Sequence, residues 1–328
     1  MSALPQYGKH LHPQEKMRAI VIDRYGGPDV LHEVSVPRPF PKRGQVLVRT
    51  RFVGVNPKDV VVRKGKFQVA TGKRFPLIVG HDIAGEVVEA GAAADLAVGD
   101  AVYGMINDFA GRAYAEYAAV DANQLGRAPS SIDLRVAAAV PLAAQTALQG
   151  LRNDGLVTRG HDVLINGASG GVGVFAVQIA KVLGANVTAV CSHRNIELVR
   201  ELGADQVIDY TETDLVTLSR RFDTVFDVFG NYSFDKLKHL LKPRGTYIQT
   251  IPSSRIFKDI ARTFVRKQRA KLVLVRSRRS QLDWLRQQID GSHLRVVLDR
   301  SFPLRDAAEA HRYMETKRAR GKVVLEVD

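Results

Sequence analysis

Residues Val163 to Gly173 read VLINGASGGVG, and the fold follows from how that stretch is punctuated. Val163, Leu164 and Ile165 form a short apolar run ending in a glycine-rich turn, and a helix-patterned segment follows from Val172 to Leu183. Buried strand, glycine turn and helix in that order is the context in which small residues hold phosphate. Ala168, Gly170 and Gly173 fill the three small positions of the dinucleotide fingerprint, with Ser169, Gly171 and Val172 between them. Where side chains are missing, backbone N–H groups can approach a pyrophosphate, and the helix N-terminus adds partial positive charge. The second strand, NVTAV, is expected to end near Cys191. An NAD-selective site would carry Asp or Glu about 20 residues past the glycines, on the ribose hydroxyls. Here the chain offers Ser192, His193 and Arg194. A hydroxyl and a guanidinium favour a 2′-phosphate that an acid would repel, which predicts NADP(H) over NAD(H).

Downstream of the turn, strand and helix patterns alternate as in a doubly wound parallel sheet. VLING is followed by FAVQIAKVLG, NVTAV, IELVRELG, DQVIDY, DTVFDVFG, FDKLKHLLKPRG and TYIQT, and later by the helical QLDWLRQQIDG. Upstream, from Met17, the pattern is short alternating strands between Gly and Asp turns, which predicts a β-rich unit of small-barrel type. The final segments, LRVVLDRSFPL, DAAEAHRYMETKRAR and GKVVLEVD, read as strand, helix and strand returning to that first unit. The expected division is a flexible arm over 1–16, a β-rich domain over 17–135 and 290–328, and a dinucleotide-binding domain over 136–289.

With 328 residues the chain has room for two cores, and 45% apolar with 25% charged residues is ordinary globular composition. No apolar run is long enough to span a bilayer, and Met1 to Lys16 is polar and rich in Pro and His, unlike a signal peptide. One cysteine, Cys191, rules out an intramolecular disulfide and a cysteine-rich zinc site, so a cytoplasmic location is expected. The net charge of +14 is unevenly placed. Ten Lys or Arg lie between Arg255 and Arg279 against one acid, Asp259, so this window attracts phosphate-bearing or anionic partners.

The β-rich first unit, PLIVGHDIAGEVVEAG, VGDAVYGM, the glycine turn with its following SHRN, and the closing RARGKVVLEV together resemble a medium-chain dehydrogenase/reductase. More narrowly they are similar to the zinc-independent, quinone-oxidoreductase branch, over the chain from about Met17 onward. The resemblance implies a GroES-like catalytic domain, a Rossmann domain, an active site in the cleft between them, and a homodimer. It also implies NADPH-dependent reduction of quinones, enones or 2-enoyl thioesters, the last carried on CoA or a carrier.

Zinc-dependent relatives carry ligands in the segments matching GVNPKD, GHDIAG and PLAAQTAL. Here those positions read Asn56, His81 and Leu142, and one lone His does not supply the three protein ligands a catalytic zinc needs. No metal is expected. Without a Lewis acid the acceptor's own conjugation must carry the charge. The resemblance places Asn56 and Asp59 beside the nicotinamide and Thr146 as a hydroxyl on its side. Ser192, Arg194 and Tyr210 match the 2′-phosphate contacts; Phe229, Gly230, Thr250 and Ile251 follow Rossmann strands; Gly321 and Lys322 match a C-terminal loop that touches the cofactor. Where enoyl thioester reductases of the superfamily carry a proton-donating Tyr, this chain has Phe67, leaving Lys58, Tyr103, Tyr114 or water as alternatives.

Two other readings compete. Gly167, Gly171 and Gly173 with Tyr232 and Lys236 imitate a short-chain dehydrogenase, but half the chain precedes the glycines and Tyr232 follows them too closely. A non-catalytic NADPH-binding protein could instead dock through the basic window. Residues 256–275 can be drawn as one amphipathic helix with Phe257, Ile260, Ala261, Phe264 and Val265 on a face, suited to an anionic surface. No motif for nucleic acid accompanies the charge, and nucleic acid is not expected as a partner.

Overall fold

The apolar run at 163–165 lies in the middle of a six-stranded sheet in the computed structural model, which describes residues 15–328. In spatial order its strands are Gln206–Asp209, Asn186–Cys191, Asp162–Asn166, Phe222–Asp227, Leu241–Gln249 and Arg269–Leu272, all parallel. Both faces are covered, so Val163, Leu164 and Ile165 are wholly buried, each contributing about 1.5–3 kcal/mol. The chain order reverses between Asp162–Asn166 and Phe222–Asp227. In such sheets the crevice at the carboxyl ends beside this switch point is where a ligand binds. Helix Gly173–Val182 leaves the glycine turn and is apolar nearly all round, because it is sandwiched between the sheet and helix Pro141–Leu148.

The first part of the chain forms two antiparallel-rich sheets. Leu31–Pro37, Lys16–Ile22 and Leu77–Ile78 make one of three strands. The other runs Leu298–Pro303, Lys322–Glu326, Gln45–Val55, Asp82–Ala90, Ala101–Met105 and Leu125–Arg127, with Tyr117–Asp121 paired to Gln45–Val55. The β-rich unit therefore draws strands from both ends of the chain. Its core of Val46, Val48, Val53, Ile83, Val87, Val323 and Leu325 is separate from the Rossmann core, which reaches across the boundary to Ala84, Tyr103 and Val324.

Two details depart from the sequence reading. The expected arm lies outside the described residues up to position 14, and Lys16 already opens a strand. The single amphipathic helix over 256–275 does not form: helix Ser254–Thr263 stops, a turn follows, and Arg269–Leu272 becomes the sixth parallel strand. Dense positive charge hid the strand, whose residues RAKL carry two cations and only Ala270 and Leu272 as apolar side chains. No helix among the described residues is long and apolar enough to cross a membrane.

Candidate active site

Tight local geometry builds the glycine turn. Gly167 takes φ +83°, and its N–H and that of Ala168 donate to Val190 O at 3.2 and 3.0 Å, binding the turn to the second strand. A Cβ at Gly173 would lie 2.1 Å from Gly167 O, so the helix can start this close to the strand only with glycine there. A Cβ at Gly170 would meet nothing nearer than that same oxygen at 3.5 Å. The fold itself leaves Gly170 free to carry a side chain; a pyrophosphate laid against this backbone would not. The C-terminal loop closes on the turn, with Gly321 N–H donating to Ser169 O at 3.1 Å and a bridge between Gly170 and Gly321.

Around the turn the sequence-predicted cofactor residues converge. Ser192 follows the second strand, and the Tyr210 N–H donates to Cys191 O at 3.1 Å, so Ser192, Arg194 and Tyr210 gather at adjoining strand ends. Arg194 is exposed, and Tyr210 is exposed too. Sequence reasoning missed Asn195, which is buried. It donates to Ser169 Oγ at 3.0 Å and Ser192 Oγ at 3.3 Å, while its own Oδ1 is buried with no partner. That orphaned acceptor beside two hydroxyls fits a polar ligand seated here, such as a phosphorylated ribose. On the other flank Phe229 lies against Gly167, Gly230 takes φ +73° beside Ile251, and Thr250 Oγ1 donates to Val228 O at 3.0 Å. Lys317, also missed, holds its Nζ 5.4 Å above the Phe229 ring.

The facing wall is a buried polar cluster at the start of helix Pro57–Arg63. Asn56 caps it: its N–H donates to Asp59 Oδ2 at 2.8 Å, and its Nδ2 donates to Gly54 O at 3.2 Å and Asp82 Oδ2 at 3.0 Å. Asn56 Oδ1 accepts from Lys322 Nζ at 2.5 Å, and the same ammonium lies 3.5 Å from Asp82 Oδ2. Lys322 is buried: its stem passes the turn, with Cδ 3.1 Å from where a Cβ at Gly171 would lie, and its ammonium ends on Asn56 and Asp82. Asp82 was not singled out from GHDIAG, yet it joins the units, accepting from the Leu142 N–H at 2.8 Å. Burial pushes the Asp82 carboxyl above its ordinary range, an effect that Lys322 and Asn56 offset only in part.

Behind Asn56 the network continues inward. His81 Nδ1 lies 2.5 Å from Asp59 Oδ1, and His81 Nε2 lies 3.2 Å from Phe109 O. Burial acts to raise the Asp59 carboxyl, but the hydrogen bond and charge of His81 win and hold it below its usual range. Asp59 is therefore an ionised anchor of this network, beneath the Asn56 that was expected beside it at the nicotinamide. Tyr114 donates to Asp59 Oδ2 at 3.3 Å, and its oxygen lies 3.1 Å from His311 Nε2.

Two further expected roles change. Tyr103 is wholly buried and donates to Leu282 O at 2.6 Å, so it is a strut between strand Ala101–Met105 and helix Arg279–Asp290, with no path to the cleft. Thr146 Oγ1 donates to Leu142 O at 2.7 Å inside its own helix, which leaves it only an acceptor for any ligand. Lys58 differs from both. It is half-buried, has no carboxylate within ion-pair distance among the described residues, and burial lowers its ammonium pKa against the opposing charges of Asp59, Asp82 and Asp108.

At the three segments that match zinc ligands, His81 has both ring nitrogens engaged, Asn56 Oδ1 faces an ammonium, and Leu142 offers only a backbone N–H. Among the described residues, three convergent His, Cys, Asp or Glu ligand atoms occur only at His193, Asp209 and Glu212, next to Ser192 and Tyr210.

Residues 42–130 match the alcohol dehydrogenase GroES-like domain family, and residues 202–325 match the zinc-binding dehydrogenase family. The chain is 32% identical over 324 residues to the chloroplast envelope quinone oxidoreductase homolog of Arabidopsis thaliana, covering 94% of this chain and 98% of the relative. It is 36% identical over 323 residues to the chloroplastic NADPH-dependent alkenal/one oxidoreductase of the same plant, covering 95% and 80%. The solved quinone oxidoreductase from Coxiella burnetii aligns with a TM-score of 0.89 at 32% identity, over 96% of this chain and 100% of that one.

Proposed function

This chain belongs to the medium-chain dehydrogenase/reductase family, in its quinone oxidoreductase-like group, and on that footing we propose that it is an NADPH-dependent, zinc-independent reductase. Its acceptors are activated C=C bonds, in enones or 2-enoyl thioesters, or quinones. The observation that carries this reading is the seat of Lys322: an ammonium held by Asn56 and Asp82 stands among the segments where a metal's ligands would be. That donor set does not fit zinc, which needs three protein ligands and an open position. No step is routed through a metal, and an unactivated alcohol or ketone is not a substrate.

The residues fit NADPH. The turn from Ala168 to Gly173 holds the pyrophosphate by the N–H groups left once Ala168 and Gly170 have donated to Val190 O and Gly167 O, and Ser192, Arg194 and Asn195 with Tyr210 take the 2′-phosphate and its ribose. Bound there, the coenzyme supplies a hydride. The protein supplies position, exclusion of water and a proton. Phe229, Ile251 and the loop at Gly321 border the nicotinamide side, with Asn56 opposite. Lys58 is the proton source in this reading, because Tyr103 and Tyr114 are both committed elsewhere and a lysine with a lowered pKa releases its proton more readily. A cytoplasmic placement, with the lone thiol of Cys191 reduced and buried, and a homodimer belong to the same reading.

Steady-state oxidation of NADPH with a panel of quinones, enones and enoyl-CoAs tests it. Turnover on at least one class, unchanged by a chelator, supports the reductase. Tight NADPH binding without turnover on any acceptor favours the non-catalytic binding protein, and loss of activity to the chelator removes the zinc-independent part.

A further inference from the structure

Helix Ser254–Thr263 begins at the mouth of the cleft, immediately after Ile251, and turns one face to solvent. Its inner face is fixed. Ser253 Oγ caps it by accepting from the Ile256 N–H, Ile256 and Thr263 are buried, and the buried Asp259 accepts from the Phe234 N–H at 3.2 Å and pairs with Arg262. The outer face is fixed by the same geometry. At 100° per residue, Phe257, Ala261 and Phe264 fall on one side of it and Arg255, Lys258 and Arg262 on the other, and Val265 follows in the turn just past the helix. Phe257, Phe264 and Val265 are 55%, 75% and 89% exposed. Arg266 and Lys267 continue the basic side through the turn and are exposed. Arg269 Nη1, donating to Thr263 O at 3.0 Å, pins that turn to the edge strand, so these side chains project from a built surface.

We propose that this face docks on an anionic lipid surface, with Phe257, Phe264 and Val265 entering the headgroup boundary and Arg255, Lys258, Arg266 and Lys267 meeting the phosphates. Large aromatic and β-branched side chains exposed together in a monomer need an apolar neighbour. A collar of cations beside them selects one whose border is negative. A second copy of the chain fails that requirement, since it would set the exposed cations Arg255, Lys258, Arg266 and Lys267 against the same four, and these would repel. Nucleic acid would satisfy the charge and leave the apolar stripe unmatched. The exposed Phe229 and Ile251 lie just before this helix at the cleft, so a docked molecule would hold its cleft mouth close to the lipid. If the reductase reading holds, acceptors dissolved in the membrane are within reach; the docking itself does not depend on that reading.

Vesicle flotation tests it without any turnover. The full chain is incubated with phosphatidylcholine vesicles, and with vesicles in which part of that lipid is replaced by phosphatidylglycerol, at low and high salt. Expected is co-flotation with the anionic vesicles alone, weakened by salt. Phe257→Ser with Phe264→Ser, and separately Lys258→Gln with Arg266→Gln and Lys267→Gln, should each weaken it about tenfold or more. NADPH affinity and melting temperature unchanged in both variants show that the fold is intact. The proposal is overturned by absence of anionic-vesicle binding in the parent chain, by equal binding to neutral vesicles, or by variants that float as the parent does. It is equally overturned if the aromatic pair instead controls self-association in sedimentation, or if only RNA is retained.

Discussion

Lys322 Nζ lies 2.5 Å from Asn56 Oδ1, so the last strand of the chain reaches back to the residue that caps the first helix of the cleft wall. The ammonium, Asp82 and Asn56 are all buried, and none can be removed without leaving the others short of a partner. Lys322→Ala should therefore destabilise the protein by about 3–5 kcal/mol, read from the urea midpoint. Lys322→Met with Asp82→Asn, which removes both charges at similar volume, should recover most of that loss. Lys322→Met alone should not recover it, because Asp82 then keeps its charge without a partner, and a Lys322→Met variant as stable as the parent would show that the lysine acts through packing alone.

The glycine turn separates fold from ligand. Gly173→Ala places a Cβ 2.1 Å from Gly167 O and should unfold or severely destabilise the Rossmann unit. Gly170→Ala has room, its nearest contact being 3.5 Å away, and should melt like the parent. If the pyrophosphate lies against this backbone, the same variant should bind NADPH about ten- to a hundredfold more weakly, from the loss of one or two charge-assisted hydrogen bonds. Calorimetric titration of Gly170→Ala measures it, and unchanged affinity would move the phosphates elsewhere.

Coenzyme choice rests on Arg194 and Ser192. Arg194→Gln should raise the Kd for NADPH by roughly tenfold or more and leave NADH nearly unaffected, because only the 2′-phosphate loses a charged partner. Ser192→Asp in addition should reverse the preference. A parallel loss for both coenzymes would mean that Arg194 contacts something other than that phosphate.

His311 gives the protein a defined acid sensitivity. Burial lowers its pKa from 6.5 to about 4. Asp59 accepts the hydrogen bond of the Tyr114 hydroxyl, so His311 Nε2 donates to the tyrosine oxygen and Nδ1 is left buried without a partner. The folded state holds this ring neutral while the unfolded chain protonates near 6.5. The stability is present above pH 6.5 and is lost as pH falls toward 4, by an amount on the order of 3 kcal/mol. Urea unfolding followed across that window should show the slope, and His311→Gln should flatten it. A slope that the substitution leaves untouched would assign the acid sensitivity to another group.

The parts of this site that were legible in the sequence are those whose constraint is local. A strand, small residues at 168, 170 and 173 and a helix must be contiguous in the chain, and so must Ser192 and Arg194 just past the second strand. Of the polar wall, the GVNPKD segment, His81, Tyr114 and Lys322 stood out in the sequence, Asp82 did not, and none of their mutual contacts could be read. Those contacts join Asn56 to residues 26 positions on at Asp82 and 266 positions on at Lys322. Nothing in RGKVV says whether that lysine points at a phosphate or into the barrel; the pairing of Lys322–Glu326 with Gln45–Val55 decides it. Tyr103 misled for a related reason: alternation in a strand shows that a side chain is buried, not that its hydroxyl is taken by a helix of the other unit. The sixth Rossmann strand was hidden by composition, since Arg269 and Lys271 are edge-strand cations that read as part of a basic helix.

The central claim is that this protein adds a hydride to a conjugated acceptor without metal assistance, and isotope tracing tests it most directly. Chelator-dialysed protein would be given an enone and NADPH carrying deuterium at the transferred position, and the product analysed by mass spectrometry and NMR. The expected product is a saturated ketone with one deuterium on the β-carbon and a solvent proton on the α-carbon. Deuterium on the carbonyl carbon of an allylic alcohol, or turnover only after zinc is restored, would contradict it.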